Sequence, residues 1–218
     1  MKNHFTFDVN SIEAQHLIIQ DPTLGKAISL IGELSYGIHE NVFEFLVETI
    51  IGQMLSNQVS DLLVNRLRDI CGNDMTPNSI LEHSKANLRE IGLSNQKGEY
   101  ILLLSEKYQT DPDFFSALSS ESDESVIRRL TQLRGLGNWS AKMFLIFALN
   151  RMDVLPYEDG AFIQAYKWLY RTSDVLKASI ETRCSSWKPF SSIAARYLYR
   201  VLDAGYVKLS RDILDGQQ

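Results

Sequence analysis

Asp159 closes a proline-marked loop, Asp153-Val154-Leu155-Pro156-Tyr157-Glu158, and that loop follows a glycine pair in Leu133-Arg134-Gly135-Leu136-Gly137-Asn138-Trp139-Ser140-Ala141-Lys142. A carboxylate can stabilise developing positive charge or take a proton from water. Two close glycines before a helix suit a hairpin whose backbone turns sharply and leaves no side chain in the way. The N–H groups that open the next helix could then point at a phosphate, helped by the helix dipole. Each feature also has a plainer reading. The glycines could serve a tight helix–helix turn only, and Asp159 stands where an N-cap would stand for a helix carrying Phe162, Ala165, Tyr166 and Leu169.

The elements that must position these residues read as helices. Ser11 caps a first helix, which Asp21-Pro22 interrupts. Leu24, Ile28, Ile31 and Leu34 follow at helical spacing, with Gly37 closing the second helix. Residues 42–51 are apolar on more than one face, which predicts a central helix. Ser56 or Asn57 caps the next helix, with Val59, Leu62, Leu63, Leu67 and Ile70 facing inward. Thr76-Pro77 opens short helices near 78–83 and 85–91, Ser94 opens one through Tyr108, and Asp111-Pro112 opens another. Ser122 starts the helix that reaches Leu133 before the glycines. Beyond Asp159, Ser173 starts a helix ending near Cys184, Trp187-Lys188-Pro189-Phe190 is a turn, and Ser191 or Ser192 caps the last long helix. The tail to Gln218 is polar, and no segment alternates at period two, so the expected class is all-α.

The chain has 218 residues, 44% of them hydrophobic, enough for a substantial core. No apolar run is long enough to span a bilayer, and Met1-Lys2-Asn3-His4-Phe5 lacks the apolar core of a signal peptide. Cys71 and Cys184 cannot form a four-cysteine metal or cluster site and suit a reduced, cytosolic setting. The net charge of −5 counts against nucleic-acid binding as a bulk property. The charge is polarised along the chain, however. Val126–Met152 and Thr182–Leu202 carry bases and no acid, whereas Tyr108–Ile127 carries acids and no base. On charge alone, chance clustering on solvated faces accounts for this.

The hairpin, the helix after it, and Asp153-Val154-Leu155-Pro156 leading to Asp159 resemble the helix–hairpin–helix DNA glycosylases, specifically the 3-methyladenine DNA glycosylase II branch. Ile51-Gly52-Gln53-Met54-Leu55-Ser56 resembles that branch's gap-filling loop. Trp187-Lys188-Pro189-Phe190 resembles its motif before the last helix, and Ile91-Gly92-Leu93-Ser94 through Lys97 also fits. The resemblance runs from about Phe43 to Asp203. It implies a single two-lobed helical domain over 1–218, with one lobe near 44–145, the other from 1–43 with 146–218, the hairpin at 133–139, and DNA across the cleft between lobes. Only about forty residues precede the helical core, so the N-terminal β domain of several larger relatives is expected to be missing.

The resemblance also assigns roles. Asp159 becomes the catalytic carboxylate and Met54 the wedge that fills the stack when a base is flipped out. Gln53, Arg134, Gly135, Leu136, Gly137, Asn138 and Ser140 become DNA-binding residues. Trp139 and Tyr199 become aromatic walls of a base pocket, and Tyr157 and Trp187 join them as candidates because they neighbour the motifs. Such faces would attract a cationic alkylated purine by about 0.5–2 kcal/mol. Backbone carbonyls of Thr131, Leu133 and Leu136 match those that hold a monovalent cation, Na+ or K+; no other cofactor is required, and the iron–sulfur cysteines of the endonuclease III branch are absent. Bifunctional relatives carry a Schiff-base lysine where this chain has Trp139, which implies a monofunctional enzyme that removes alkylated purines from double-stranded DNA and leaves an abasic site. A cytoplasmic, bacterial-type monomer acting on the nucleoid, with no membrane partner, is the expectation. Two departures, Ser191 in place of arginine and Gly160 in place of a larger residue, bear on substrate range. The rivals are a glycosylase for uracil or a deaminated purine, and a non-catalytic helical DNA-binding module.

Overall fold

Short polar residues ahead of apolar helical stretches set most element boundaries. In the computed structural model, which describes residues 4–216, the chain runs β1 (His4–Phe7), α1 (Ile12–Gln20), α2 (Pro22–Ile31), β2 (Leu34–Gly37), α3 (Val42–Gly52), α4 (Asn57–Ile70), α5 (Pro77–Leu81), α6 (Lys85–Glu90), α7 (Asn95–Thr110), α8 (Pro112–Ser116), α9 (Asp123–Leu130), α10 (Asn138–Phe147), α11 (Gly160–Tyr170), α12 (Lys177–Arg183) and α13 (Ser191–Asp203), with short 3-10 turns between and after. The leader reading at Met1–Asn3 and the last two residues of the polar tail lie outside the described residues. Ser11, Ser56, Thr76, Ser94, Asp111, Ser122 and Asp159 each accept a backbone N–H of the helix they precede. Each such cap is worth about 1 kcal/mol. No helix among the described residues is long and apolar enough to cross a membrane.

The chain divides into two compact units, His39–Leu149 and the remainder. In the middle unit α3 is buried almost all round through Phe43, Phe45, Leu46, Val47, Ile50 and Ile51. Phe43 meets Tyr108 edge-on at 5.1 Å, and Tyr108 stacks on Phe115 at 4.3 Å. Helix α10 is nearly as buried, through Ala141, Met143, Phe144, Leu145 and Ile146. Each of these large apolar side chains contributes roughly 1.5–3 kcal/mol by leaving water.

The other unit packs α1, α2, α11 and α13 around Leu17, Leu24, Ile28, Phe162, Leu169, Ile193 and Leu198. Asp21 is its polar node. The carboxylate caps α2 through Thr23 and Leu24, and its second oxygen accepts from the Tyr170 hydroxyl and, at 3.0 Å, from the Trp187 indole N–H. Burial, and then the Asp21 charge, push the Tyr170 phenol far above its usual range, so it stays a neutral donor. Asp21→Asn keeps an oxygen for the cap, but the amide nitrogen in place of the second oxygen accepts from neither ring; the Tyr170 hydroxyl can turn to accept from it, and the Trp187 N–H is orphaned. A loss of about 1–2 kcal/mol is expected in urea unfolding, the cost of one orphaned buried donor. An unchanged unfolding midpoint would remove Asp21 as the node.

Five local expectations are corrected. The second helix stops at Ile31 because Gly32 takes a left-handed φ of 73°. Leu34 is then strand, not helix, and β2 pairs antiparallel with β1, Phe7 opposite Leu34 and Phe5 opposite Tyr36. The class is therefore helical with one small ribbon. Four-residue strands are too short to show alternation. Val59 and Leu62 lie outward, 44% and 49% exposed. Helix α4 approaches α3 where a side chain on Gly52 would stand 3.2 Å from the Ser60 hydroxyl, so the inward face is Ser60, Leu63, Val64 and Leu67. Helix α9 ends at Leu130, short of Leu133, as the chain leaves through successive turns, Gln132 N–H to Arg129 and Leu133 N–H to Leu130. Helix α12 starts at Lys177, not Ser173, because Thr172 and Asp174 hold the preceding backbone in side-chain turns. Ser191 and Ser192 do not cap α13. They tie its first turn to the loop before Asp159, Ser191 to the Asp153 carboxylate and Ser192 to the Val154 N–H at 2.9 Å.

Candidate functional site

The two glycines of the hairpin have different reasons to be glycine. Gly135 sits at φ 90°, and a Cβ there would lie 2.4 Å from the Tyr100 ring. Gly137 has an ordinary φ of −106° and nothing within 4 Å of a would-be Cβ. Positive φ is therefore the reason for glycine at Gly135 alone. Gly137 is the N-cap of α10 and makes no side-chain cap, so it leaves the first N–H groups of that helix open to an incoming acceptor. Gly137 and Asn138 are exposed, while Leu136 is buried and anchors the turn. Arg134 is exposed and pairs with Glu99 at 3.2 Å. The Leu133 carbonyl already accepts the Leu136 N–H at 3.1 Å, which leaves a lone pair. With the Thr131 and Leu136 carbonyls it makes a set of neutral oxygens whose chemistry fits an alkali cation.

The loop after α3 lies in the same unit. Met54 is fully exposed and left-handed, at φ 59°. A core role for this methionine is thereby excluded. Gln53, expected to face DNA, turns inward instead. Its amide nitrogen donates to the Gly135 carbonyl at 2.7 Å and lies 3.3 Å from the Ser140 hydroxyl. Ser140 is buried, so its side chain also serves this internal contact and only its backbone N–H belongs to the open helix end. The resemblance reaches Lys97 only as the end of a matching segment and gives it no role. Its ammonium donates to the carbonyls of Ile51 and Gln53 at 2.7 and 2.8 Å. A groove of about 570 Å³ lies here, lined among others by Gln53, Met54, Ser94, Lys97, Tyr100 and Gly137. Trp139, in the first turn of α10, is half-buried.

In the other unit Asp159 is buried at the N-terminus of α11. Its backbone N–H donates to the Pro156 carbonyl at 2.9 Å, and its carboxylate accepts from the Phe162 N–H at 2.8 Å. Burial first, then the charge of the neighbouring Asp159 carboxylate, hold the Tyr199 phenol well above its usual pKa. Tyr199 is thus a neutral phenol beside the carboxylate as well as an aromatic face. Arg196, three residues earlier on α13, is buried 3.5 Å over the Tyr36 ring, and burial pushes it down to about 10. It still carries its charge at neutral pH. Tyr157 is half-buried with the Lys177 ammonium 4.9 Å over its ring. Glu158 and Gly160 are exposed, and nothing stands within 4 Å of a Cβ on Gly160. Trp187, expected as an aromatic wall, does not fit a base pocket. It is completely buried, edge-on to Phe162, with its N–H committed to Asp21. The Asp21 carboxylate lies 166 residues away in sequence, so nothing near Trp187 could have signalled it.

Residues 47–190 match the family described as HhH-GPD superfamily base excision DNA repair protein. The chain is 30% identical over 163 residues to DNA-3-methyladenine glycosylase 1 of Schizosaccharomyces pombe, covering 72% of this chain and 71% of that protein. It is 33% identical over 172 residues to the DNA-3-methyladenine glycosylase of Saccharomyces cerevisiae, covering 68% and 57%. Among solved structures, the DNA-3-methyladenine glycosidase of Bacillus halodurans superposes with a TM-score of 0.81 at 29% identity, over 95% of this chain and 96% of that one. The S. pombe 3-methyladenine DNA glycosylase in complex with abasic DNA gives 0.74 at 26% identity, over 88% and 97%. A family match across two-thirds of the sequence, ending at the very motif that precedes α13, places the chain in the HhH-GPD superfamily of base excision DNA repair proteins.

Proposed function

We propose that this chain is a monofunctional DNA glycosylase that removes alkylated purines of the 3-methyladenine type from double-stranded DNA and leaves an abasic site. The observation that carries the reading is Asp159, a buried carboxylate held by the α11 N-terminus beside the neutral Tyr199 phenol. A base inside a duplex is out of reach and must be flipped out. Met54, exposed and apolar, suits the gap left in the stack. Gly137, Asn138 and the open N–H groups of α10 suit a phosphate, and Arg134 adds charge beside them. A cation on the carbonyls of Thr131, Leu133 and Leu136 would supply fixed positive charge at the turn.

Alkylation makes the base a good leaving group, so the reaction needs little acid catalysis. It needs negative charge near the sugar as the glycosidic bond breaks, and a partner for the attacking water. Asp159 supplies both. The Phe162 N–H fixes the orientation of the Asp159 carboxylate, and the neutral Tyr199 phenol stands beside it. Trp139, Tyr157 and Tyr199 offer aromatic faces for a cationic base. Trp139 stands where a Schiff-base lysine would be needed, so strand cleavage by that route has no amine. The enzyme is proposed to act as a monomer, in the cytoplasm.

Methylated duplex DNA incubated with the protein is expected to release methylated purines, read by mass spectrometry of free bases. The strands should stay intact until alkali is added, and borohydride should trap no protein–DNA adduct. Release of uracil or hypoxanthine with no methylated purine would replace the substrate class, and a trapped adduct would end the monofunctional assignment.

A further inference from the structure

The wedge loop and the hairpin are joined by side chains to which the proposed reaction gives no role. Lys97 lies in the first turn of α7, where Ser94 caps its backbone N–H at 3.2 Å. Its ammonium reaches the end of α3 and donates to the carbonyls of Ile51 and Gln53 at 2.7 and 2.8 Å. Carbonyls at a helix C-terminus lack intrahelical donors and carry the negative end of the dipole, so a cation is their natural partner. The side chain of Gln53 continues the link, with its amide nitrogen 2.7 Å from the Gly135 carbonyl and 3.3 Å from the Ser140 hydroxyl. Tyr100, one turn along α7 from Lys97, packs against Gly135, its ring filling the space a Cβ would take. Met54 follows Gln53 directly, left-handed at φ 59° and fully exposed. A non-glycine residue holds that conformation only where its surroundings over-determine it. Here the turn bond from the Leu55 N–H to the Gly52 carbonyl at 3.1 Å, the Lys97 clamp and the Gln53 bridge do so.

We infer that Lys97 and Gln53 are positioning residues that lock the Met54 wedge loop to the hairpin, so that the grip on the DNA backbone and the insertion into the stack act as one rigid body. The inference rests on the glycosylase reading and extends it to the step before chemistry. Gln53 acts inside the protein, against its expected place among the DNA contacts. Burial lowers the Lys97 ammonium from its usual pKa, in keeping with a cation withdrawn from water to serve two carbonyls.

A rigid wedge matters only where a paired base must be extruded. The test therefore compares one alkylated base paired in a duplex with the same base in a single-nucleotide bulge, where extrusion is already favoured. Lys97→Met is expected to lower excision from the duplex by about tenfold to a hundredfold, the scale of a displaced positioning group, and to leave the bulge nearly unaffected. Lys97→Arg should recover most of the loss. Gln53→Ala should give the same substrate split, and the double variant should lose less than the product of the two single losses. Equal losses on both substrates, or no loss on either, overturn the inference. If Lys97→Met does not fold, Lys97→Arg and Gln53→Ala carry the comparison. Amide exchange in the DNA-free protein separates this inference from the functional one. Faster exchange at Met54 and Leu55 in Gln53→Ala supports the link even if the wild type excises no base, and unchanged exchange there rejects it whatever the enzyme cleaves.

Discussion

Asp159→Asn is expected to lower single-turnover excision of methylated purines by about 10²–10⁴-fold, the range of a lost charge stabiliser and proton acceptor, with almost no change in melting temperature. The two effects separate because Asp159 holds two jobs. As N-cap of α11 it accepts the Phe162 N–H at 2.8 Å, and an asparagine oxygen caps as well as a carboxylate. As a charge it faces the Tyr199 phenol, which it helps hold in the neutral form. Asparagine keeps the cap and removes the charge. Asp159→Ala removes cap and charge together and should add an unfolding cost of about 1 kcal/mol. The comparison needs excision rates, affinity for abasic duplex and thermal melting on all three proteins. If Asp159→Asn excises at the wild-type rate, the carboxylate is a cap and nothing more, and the catalytic assignment fails.

Asp159 is legible as a cap from its own neighbourhood, whereas its proposed catalytic role rests on the whole series of motifs. Capping is local. Ser11, Ser56, Thr76, Ser94, Asp111 and Ser122 each announce a helix within three residues of themselves, and each accepts the N–H expected of it. What sequence reading missed was decided at a distance. Ser191 and Ser192 look like caps, but Asp153 and Val154, 38 residues upstream, claim their side chains. Trp187 looks like an aromatic wall until Asp21 takes its N–H. Gln53 looks like a DNA contact until Gly135 and Ser140, more than eighty residues on, accept its amide. Val59 and Leu62 fit the inward stripe of α4 by spacing, and only the approach of Ser60 to Gly52 rotates the helix so that they face out. Polar side chains with several acceptors in reach, and the rotation of a moderately apolar helix, are settled by tertiary contacts.

The hairpin glycines should separate folding from binding. Gly135→Ala is expected to destabilise the protein by about 3 kcal/mol, combining the left-handed penalty for a residue with a Cβ and the overpacking of that Cβ. The clash is with Tyr100 Cδ2, Cγ and Cβ at 2.4, 2.6 and 2.8 Å. Its Cβ is tied to the α7 backbone, so the ring cannot simply swing clear. Tyr100→Ala in the Gly135→Ala background should return the steric part and leave the φ part. Gly137→Ala meets no atom within 4 Å and asks for no unusual φ, so urea unfolding should change by at most about 0.5–1 kcal/mol, the ordinary cost of alanine at an N-cap. The new methyl group would instead stand where a phosphate approaches the uncapped N–H groups of α10. Affinity for abasic duplex at fixed salt should fall about tenfold or more, the worth of one charge-assisted hydrogen bond. Fluorescence anisotropy and urea titration on the same preparations read both quantities. Because the empty space around Gly137 has no folding purpose, wild-type affinity in a well-folded Gly137→Ala would mean that the α10 N-terminus is not where this protein holds DNA.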